Sequence, residues 1–219
     1  MGHMSTIAIS EIKSSICTLK INNPDKRNAL SIAVRDDMTA ALADLAGRPE
    51  LKVVVIRGSG NVFSAGFDLD EFQKAAQDQA FHGKLWSSSD RFHHAVMNFP
   101  LPTIAAVNGP AIAGGFDLAS MCDIRIAANN AYFSHPEMAF GDVIYSFLHE
   151  LLGGAIAREL VLTGCKIESK EALRLNLVTK VVAQDKLDEA VWAIAKQIAS
   201  APRENLDRKS TRLNSSHRL

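Results

Sequence analysis

Phe63-Ser64-Ala65-Gly66-Phe67-Asp68-Leu69 and Asn108-Gly109-Pro110-Ala111-Ile112-Ala113-Gly114-Gly115-Phe116-Asp117-Leu118 decide how this chain is read. Each segment follows a strand-like run, residues 52–57 in the first case and 103–107 in the second, and each opens a helix. A helix start leaves N–H groups without intrahelical partners, and the aligned peptide dipoles make that end positive. Glycine lets a ligand come close to the backbone. Two such ends facing one point form an oxyanion hole, in which two N–H groups hold one negatively charged oxygen.

Outward from these loops the pattern alternates. Residues 7–11 and 15–21 read as strands around a Lys13-Ser14 turn. Ser31 caps a helix running to about Ala46, with Val34, Met38, Ala41, Leu42 and Leu45 on one face, stopped by Gly47 and Pro49. Val53-Val54-Val55-Ile56 is a continuous apolar strand, as in a sheet buried on both faces. A helical stretch covers roughly 68–98 with a break expected near Gly83, ended by Pro100 and Pro102. Residues 103–108 are extended, a helix starts at about Gly115, and 124–127 and 132–133 return to strands. Beyond Gly141 the pattern predicts helices over 147–163, 169–175 and 185–199, with 178–182 extended. The order is that of an α/β core with a helical C-terminal part.

The chain has 219 residues, 47% of them hydrophobic, which suffices for one sizeable core. No apolar run approaches membrane-spanning length. Cys17, Cys122 and Cys165 are widely spaced, which predicts reduced thiols in a cytoplasmic protein. Residues 1–4 (Met-Gly-His-Met) read as a cloning scar, and 5–206 as the domain. Residues 207–219 match the translation of a common sequencing-library adapter and are expected to be a read-through artefact. That tail holds four basic residues and one acidic, leaving 20 basic against 23 acidic residues in the rest. Neither balance gives a nucleic-acid surface.

Four common motifs fail. Gly58-Ser59-Gly60 lacks the third glycine of a dinucleotide fingerprint, and Gly109 to Gly115 lacks the Lys-Ser/Thr of a phosphate loop. No Gly-x-Ser-x-Gly occurs. His93-His94 and His149-Glu150 lack metal-site spacing. Acids remain. Asp117 serves equally as a helix-dipole partner or a catalyst by its position, Glu137 taken alone reads as solvated, and Asp68 reads as charge in the first turn of its helix.

Phe63–Leu69, the stretch Gly-Gly-Phe-Asp-Leu-Ala-Ser-Met-Cys-Asp-Ile-Arg-Ile-Ala (114–127) and His135-Pro136-Glu137 resemble the signature of the enoyl-CoA hydratase/isomerase (crotonase) superfamily. Asn23-Pro24-Asp25-Lys26-Arg27-Asn28-Ala29-Leu30 and Arg158-Glu159-Leu160-Val161-Leu162-Thr163-Gly164 are similar to it too. The resemblance runs from Ile7 to about Val182 and implies a crotonase-like spiral of ββα units with a helical C-terminal region. It also implies an acyl-CoA thioester as ligand, homotrimers or hexamers, and no cofactor, coenzyme A being part of the substrate. No metal, nucleic acid or membrane is expected.

Carried over by residue, the resemblance places oxyanion donors at the N–H groups of Phe67 and Gly114. It places the CoA cleft at Arg27, Ala29, Ala65, Phe67, Asp68, Leu69, Asp70 and Gly114, and the two acids at Asp117 and Glu137. The implied activity is reversible hydration of a 2-enoyl-CoA. The alternatives are a double-bond isomerase and a truncated, inactive CoA-ester binder. Asp117 is one methylene shorter than the glutamate usual in hydratases. Tyr145 stands where dienoyl-CoA isomerases and dehalogenases place a further acid, and Ile144 where many relatives have proline. The natural sequence is expected to continue past Leu206 with helices closing the acyl pocket and supporting assembly.

Overall fold

The computed structural model describes residues 6–139 and 145–207. The expectations for residues 1–4, Ile144 and most of the tail fall outside them, as does the side chain of Tyr145. The chain forms β1 (Ile7–Ile9), β2 (Ile16–Ile21), α1 (Ile32–Ala46), β3 (Val53–Gly58), α2 (Leu69–Ala75) and α3 (Gln79–Met97). Then follow β4 (Thr103–Val107), β5 (Ala111–Ile112), α4 (Gly114–Met121), β6 (Ile124–Ala128) and β7 (Tyr132–Ser134). The last elements are α5 (Tyr145–Leu152), α6 (Gly154–Thr163), β8 (Ile167–Glu168), α7 (Ser169–Arg174), β9 (Lys180–Val182) and α8 (Leu187–Ala199).

The larger sheet has the order β1-β2-β3-β4-β6-β9, parallel except for the β1–β2 hairpin. A smaller sheet, β5-β7-β8, takes its first strand from the second loop, with β5–β7 parallel and β7–β8 antiparallel. Side chains alternate along the central strands, and each set enters a different core. Val54, Ile56, Ala105, Val107 and Ala127 join the main core with Met38, Leu42, Phe92 and Phe116. Val53, Val55, Ile104, Ala106, Ile126 and Ala128 join a second core against Leu187, Val191 and Ala195 of α8. Helices cover both faces, so the runs 53–56 and 104–107 are apolar at every position rather than at every other one.

Ser31 caps α1 as expected, its hydroxyl accepting from the Val34 N–H at 3.3 Å, and the expected apolar face is buried. Two expectations fail on helix boundaries. The break expected near Gly83 falls earlier, between α2 and α3, where the Asp78 carboxylate accepts from the Ala80 and Phe81 N–H groups, both at 3.0 Å. A capped start outweighs one mid-helix glycine, which costs about 1 kcal/mol. The single helix expected over 147–163 is two, α5 and α6, because Gly153 has φ +75° and breaks the hydrogen-bond ladder.

Two asparagines lock the loops that follow the strands. Asn108 is 1% exposed, and its Oδ1 accepts from the Gly58 N–H at 3.0 Å. Its amide donates to the Gly60 and Val62 carbonyls at 2.9 and 3.2 Å. Asn28, fully buried, donates to the Ser59 and Val62 carbonyls at 2.9 and 2.8 Å. At the other end of α4, Arg125 donates to the Cys122 and Ala119 carbonyls at 2.6 and 3.4 Å. A cation there complements the negative end of the helix dipole. Asn108→Ala leaves the buried Gly58 N–H and the Gly60 carbonyl without their partner, while the Val62 carbonyl keeps Asn28, so stability falls by about 1–3 kcal/mol. Urea unfolding checks this, with the midpoint falling and the m-value unchanged.

Candidate active site

Three extended pieces lie side by side and carry the site. Leu30 bridges Phe67 in parallel, and Ser64 bridges Ala111. The Leu30 N–H donates to the Gly66 carbonyl at 2.8 Å, the Ala65 N–H to Arg27 at 3.0 Å, and the Ile112 N–H to Ser64 at 3.0 Å. The Ser64 hydroxyl donates to the Asn28 carbonyl at 2.8 Å and accepts from the Gly66 N–H at 3.2 Å. The loops after β3 and β4 are thereby held as one unit.

Gly66 is where they touch. A Cβ at Gly66 would meet the Ala113 Cβ at 2.7 Å, the Ile112 carbonyl at 2.9 Å and the Gly114 nitrogen at 3.1 Å, and its φ is +87°. Only glycine fits on both counts. The contact puts the N–H of Phe67, the next residue, beside that of Gly114. Neither N–H has an acceptor among the described residues. Gly114 opens α4, so its N–H carries the positive end of the helix dipole. Ala113, just before it, sits at φ 53°, ψ −129°, a strained conformation for a non-glycine residue. The structure therefore brings the two expected oxyanion donors together.

The two acids also meet. Asp117, on the first turns of α4, is 6% exposed. Glu137 follows β7 in a short 3₁₀ turn (Pro136–Ala139), its side chain 13% exposed. Taken alone it read as solvated; the structure tucks it inward instead. Between them stands His135, which the sequence reading quoted but gave no role. His135 is 1% exposed and its ring stacks on Phe116 at 4.8 Å between centroids. Its Nδ1 is 2.9 Å from Glu137 Oε1, and its Nε2 is 3.6 Å from Asp117 Oδ1. Asp117 Oδ1, His135 Nε2 and Glu137 Oε2 are buried without a hydrogen-bond partner among the described residues. Burial pushes the Asp117 carboxyl up to about 7, a rise that the His135 imidazole opposes and the Glu137 charge reinforces. One ligand-type atom from each of Asp117, His135 and Glu137 lies within 4.8 Å of the others, which is also metal-ligand spacing. The sequence spacing gave no sign of this set, because Asp117 and His135 come from different elements.

The remaining candidates line one rim. Arg27 is exposed and left-handed at φ 53°, Ala29 is 8% exposed, Ala65 is half-buried, and Leu69 stands 61% exposed. Asp68 is the N-cap of α2 rather than a first-turn residue, its carboxylate accepting from the Asp70 N–H at 3.0 Å. Lys26 pairs with Asp68 at 3.0 Å and with Asp70 at 3.1 Å.

The described residues thus hold two N–H groups without acceptors and a buried Asp117 joined through His135 to Glu137. The sequence model of the family described as enoyl-CoA hydratase/isomerase matches residues 11–217. The chain is 35% identical over 195 residues to rat enoyl-CoA hydratase domain-containing protein 3, mitochondrial, covering 87% of this chain. It spans just under two thirds of the rat protein's length, 64%. The crystal structure of enoyl-CoA hydratase from Bacillus anthracis superposes with a TM-score of 0.85 at 30% identity, covering 90% of this chain and 78% of that one. That of a monofunctional enoyl-CoA isomerase from M. smegmatis gives 0.81 at 28% identity, covering 97% and 94%. The chain belongs to the enoyl-CoA hydratase/isomerase family, and its fold is the crotonase fold. No described helix is long and apolar enough to cross a membrane.

Gly66→Ala tests the loop contact. The methyl group forces Ala113 and the Gly114 nitrogen away, so at least one donor leaves the oxyanion position. Activity on a CoA thioester is expected to fall by about 10²–10³, the cost of one lost donor. Stability is expected to fall by about 1–3 kcal/mol from strain at positive φ. Steady-state rates and thermal melts on the variant check both.

Proposed function

We propose that the protein reversibly hydrates a 2-enoyl-CoA thioester. The observation that carries this is the set of three buried polar atoms, on Asp117, His135 and Glu137, with hydrogen-bonding capacity left over beside two unpaired N–H donors. Buried polar groups are ordinarily satisfied within the protein, and groups kept open are suited to a polar reactant.

The thioester oxygen accepts from the Phe67 and Gly114 N–H groups. Water, held by Asp117, attacks Cβ and gives its proton to the Asp117 carboxylate. The C=C electrons move to form an enolate, whose charge falls on the oxygen between the two donors. Glu137, carrying the one proton that the two carboxyls share, then delivers it to Cα. One water is added, and the proton balance leaves Asp117 protonated and Glu137 ionised. His135, beside both carboxyls, is the group that returns the proton. The raised Asp117 carboxyl suits both directions, as base for hydration and as acid for dehydration.

Arg27, Ala29, Ala65 and residues 67–70 form the rim we assign to coenzyme A, with Lys26 as a further cation beside it. The three free thiols support a reducing compartment, cytoplasmic in our reading. We retain a homotrimer or hexamer as the assembly. The M. smegmatis neighbour supports a second reading, a double-bond isomerase using Glu137 alone.

Mass spectrometry of crotonyl-CoA turnover in H₂¹⁸O decides between them. Hydration puts the label in the product, isomerisation of a 3-enoyl-CoA does not, and binding without either marks an inactive CoA-ester binder. Glu137→Gln is expected to lower kcat by at least about 10²-fold with little change in CoA-ester affinity. Asp117→Asn is expected to abolish most hydration, and retained hydration with lost isomerisation would reverse the ranking.

The Asp117 shift also fixes a pH dependence. Both directions need one proton held between Asp117 and Glu137 and the reaction takes up none overall, so hydration and dehydration share one pH profile. In both, kcat/KM falls as pH rises through about 7 and that proton is lost. For stability the sign is set by linkage. The folded carboxyl titrates near 7 and the free one at 3.8, so the folded state holds its proton more tightly. That stabilisation is complete below pH 3.8 and is lost as pH rises through about 7. Asp117→Asn removes this loss, and the variant gains up to about 4 kcal/mol on the wild type between pH 4 and pH 8. Urea midpoints across pH measure it.

A further inference from the structure

Beside the Phe67 ring lies a cation that the chemistry above does not use. Arg35, on α1, is fully buried, and its guanidinium carbon stands 4.4 Å from the centre of that ring. The same ring meets Gly114, since a Cβ there would lie 2.8 Å from its Cδ1 and Cε1. One aromatic ring therefore touches both the buried guanidinium and the residue carrying the second oxyanion donor, and the first donor is its own N–H.

The cation is poorly matched within the protein. Its Nε, Nη1 and Nη2 have no hydrogen-bond acceptor among the described residues. The facing carboxylate is Glu71, 3.7 Å from an Nη. Both Glu71 oxygens are engaged by the Ile32 N–H, at 3.1 and 2.9 Å. Asp36, the next residue, points away to Arg91 at 3.0 Å and Ser88 at 2.9 Å. His93 of α3 packs on the Phe67 ring at 6.2 Å, and burial, together with the Arg35 charge, holds its pKa below the usual histidine value. A structural arginine in a dry interior is normally paired and hydrogen-bonded, because desolvating its charge is costly. A charge left incompletely matched there projects a weakly screened field.

We propose that Arg35 is a positioning residue of the oxyanion hole: it holds the Phe67 ring against Gly114 and sets a positive charge behind the two N–H donors, favouring enolate over neutral thioester. The proposal rests on the reading of Phe67 and Gly114 as oxyanion donors. It adds to that hole a third element, contributed by α1.

Acetoacetyl-CoA is the probe, since its enolate absorbs in the near ultraviolet and its keto form does not. The bound enolate-to-keto ratio reports the hole itself, which loss of packing alone would not shift in step with charge. Arg35→Met is expected to lower this ratio and kcat about tenfold, with KM within about twofold, the scale of a desolvated cation–ring interaction. Arg35→Lys keeps the charge and is expected to restore most of the ratio. Glu71→Gln removes the opposing charge and is expected to raise it. A folded Arg35→Met with unchanged ratio and kcat would overturn the proposal. Should that variant fail to fold, an unchanged ratio in Glu71→Gln overturns it equally. Enolate formed alike by every variant rejects the role of Arg35 alone. Binding of acetoacetyl-CoA with no enolate even in the wild type rejects the oxyanion hole, and the proposal with it.

Discussion

The close approach of Gly66 to Ala113 and Gly114 is the constraint on which the site depends. Two strands of one parallel sheet deliver their following loops to the same edge. Without the contact those loops are merely neighbours. With it, two N–H groups from chain segments nearly fifty residues apart stand side by side, without an acceptor among the described residues. Backbone donors held this way need no reorganisation when charge develops on a bound oxygen. The cost appears nearby, in the positive φ of Ala113 and in the need for glycine at 66. Asn28 and Asn108 bind the start of the loop after β3 to its scaffold through buried amides that donate to the carbonyls of Ser59, Gly60 and Val62.

The acids depend on the same scaffold from the other side. Asp117 lies less than one helical turn past Gly114, so the helix that offers an N–H donor also fixes the carboxylate near it. Burial disfavours its charge, and the consequence is a group that can hold or release a proton near neutrality. His135 is aligned by stacking on Phe116 of the same helix and touches both carboxyls. Phe116 thus serves the core and the site together, which makes α4 the element that couples packing to chemistry.

The buried guanidinium of Arg35 runs against the ordinary logic of a helix face. Its neighbours Val34 and Met38 enter the core as their periodicity requires. Arg35 is buried beside them, where hydrophobic patterning assigns a charged side chain to solvent. Its companions are the Phe67 ring and Glu71, both from the loop and helix that follow β3.

Much of the fold was legible because it rests on local rules. Continuous apolar runs marked the buried strands, Ser31 marked the start of α1, and two prolines marked the end of α3. The errors lay where one local signal competed with another: the Asp78 cap against Gly83, and Gly153 against an unbroken apolar pattern. Phe67, Gly114, Asp117 and Glu137 were proposed from motifs that the chain itself carries. What the sequence could not carry was distance. The bond between His135 and Glu137 spans two positions, but the approach of His135 to Asp117 spans eighteen and passes through a strand pairing. Whether Glu137 faces solvent or another acid, and whether Arg35 is exposed or sealed against Phe67, depends on how separate elements pack. Sequence thus determined which chemical groups are present and which local structures they start. Tertiary structure decided which of them share one dry space, because desolvation and charge coupling act through space and not along the chain.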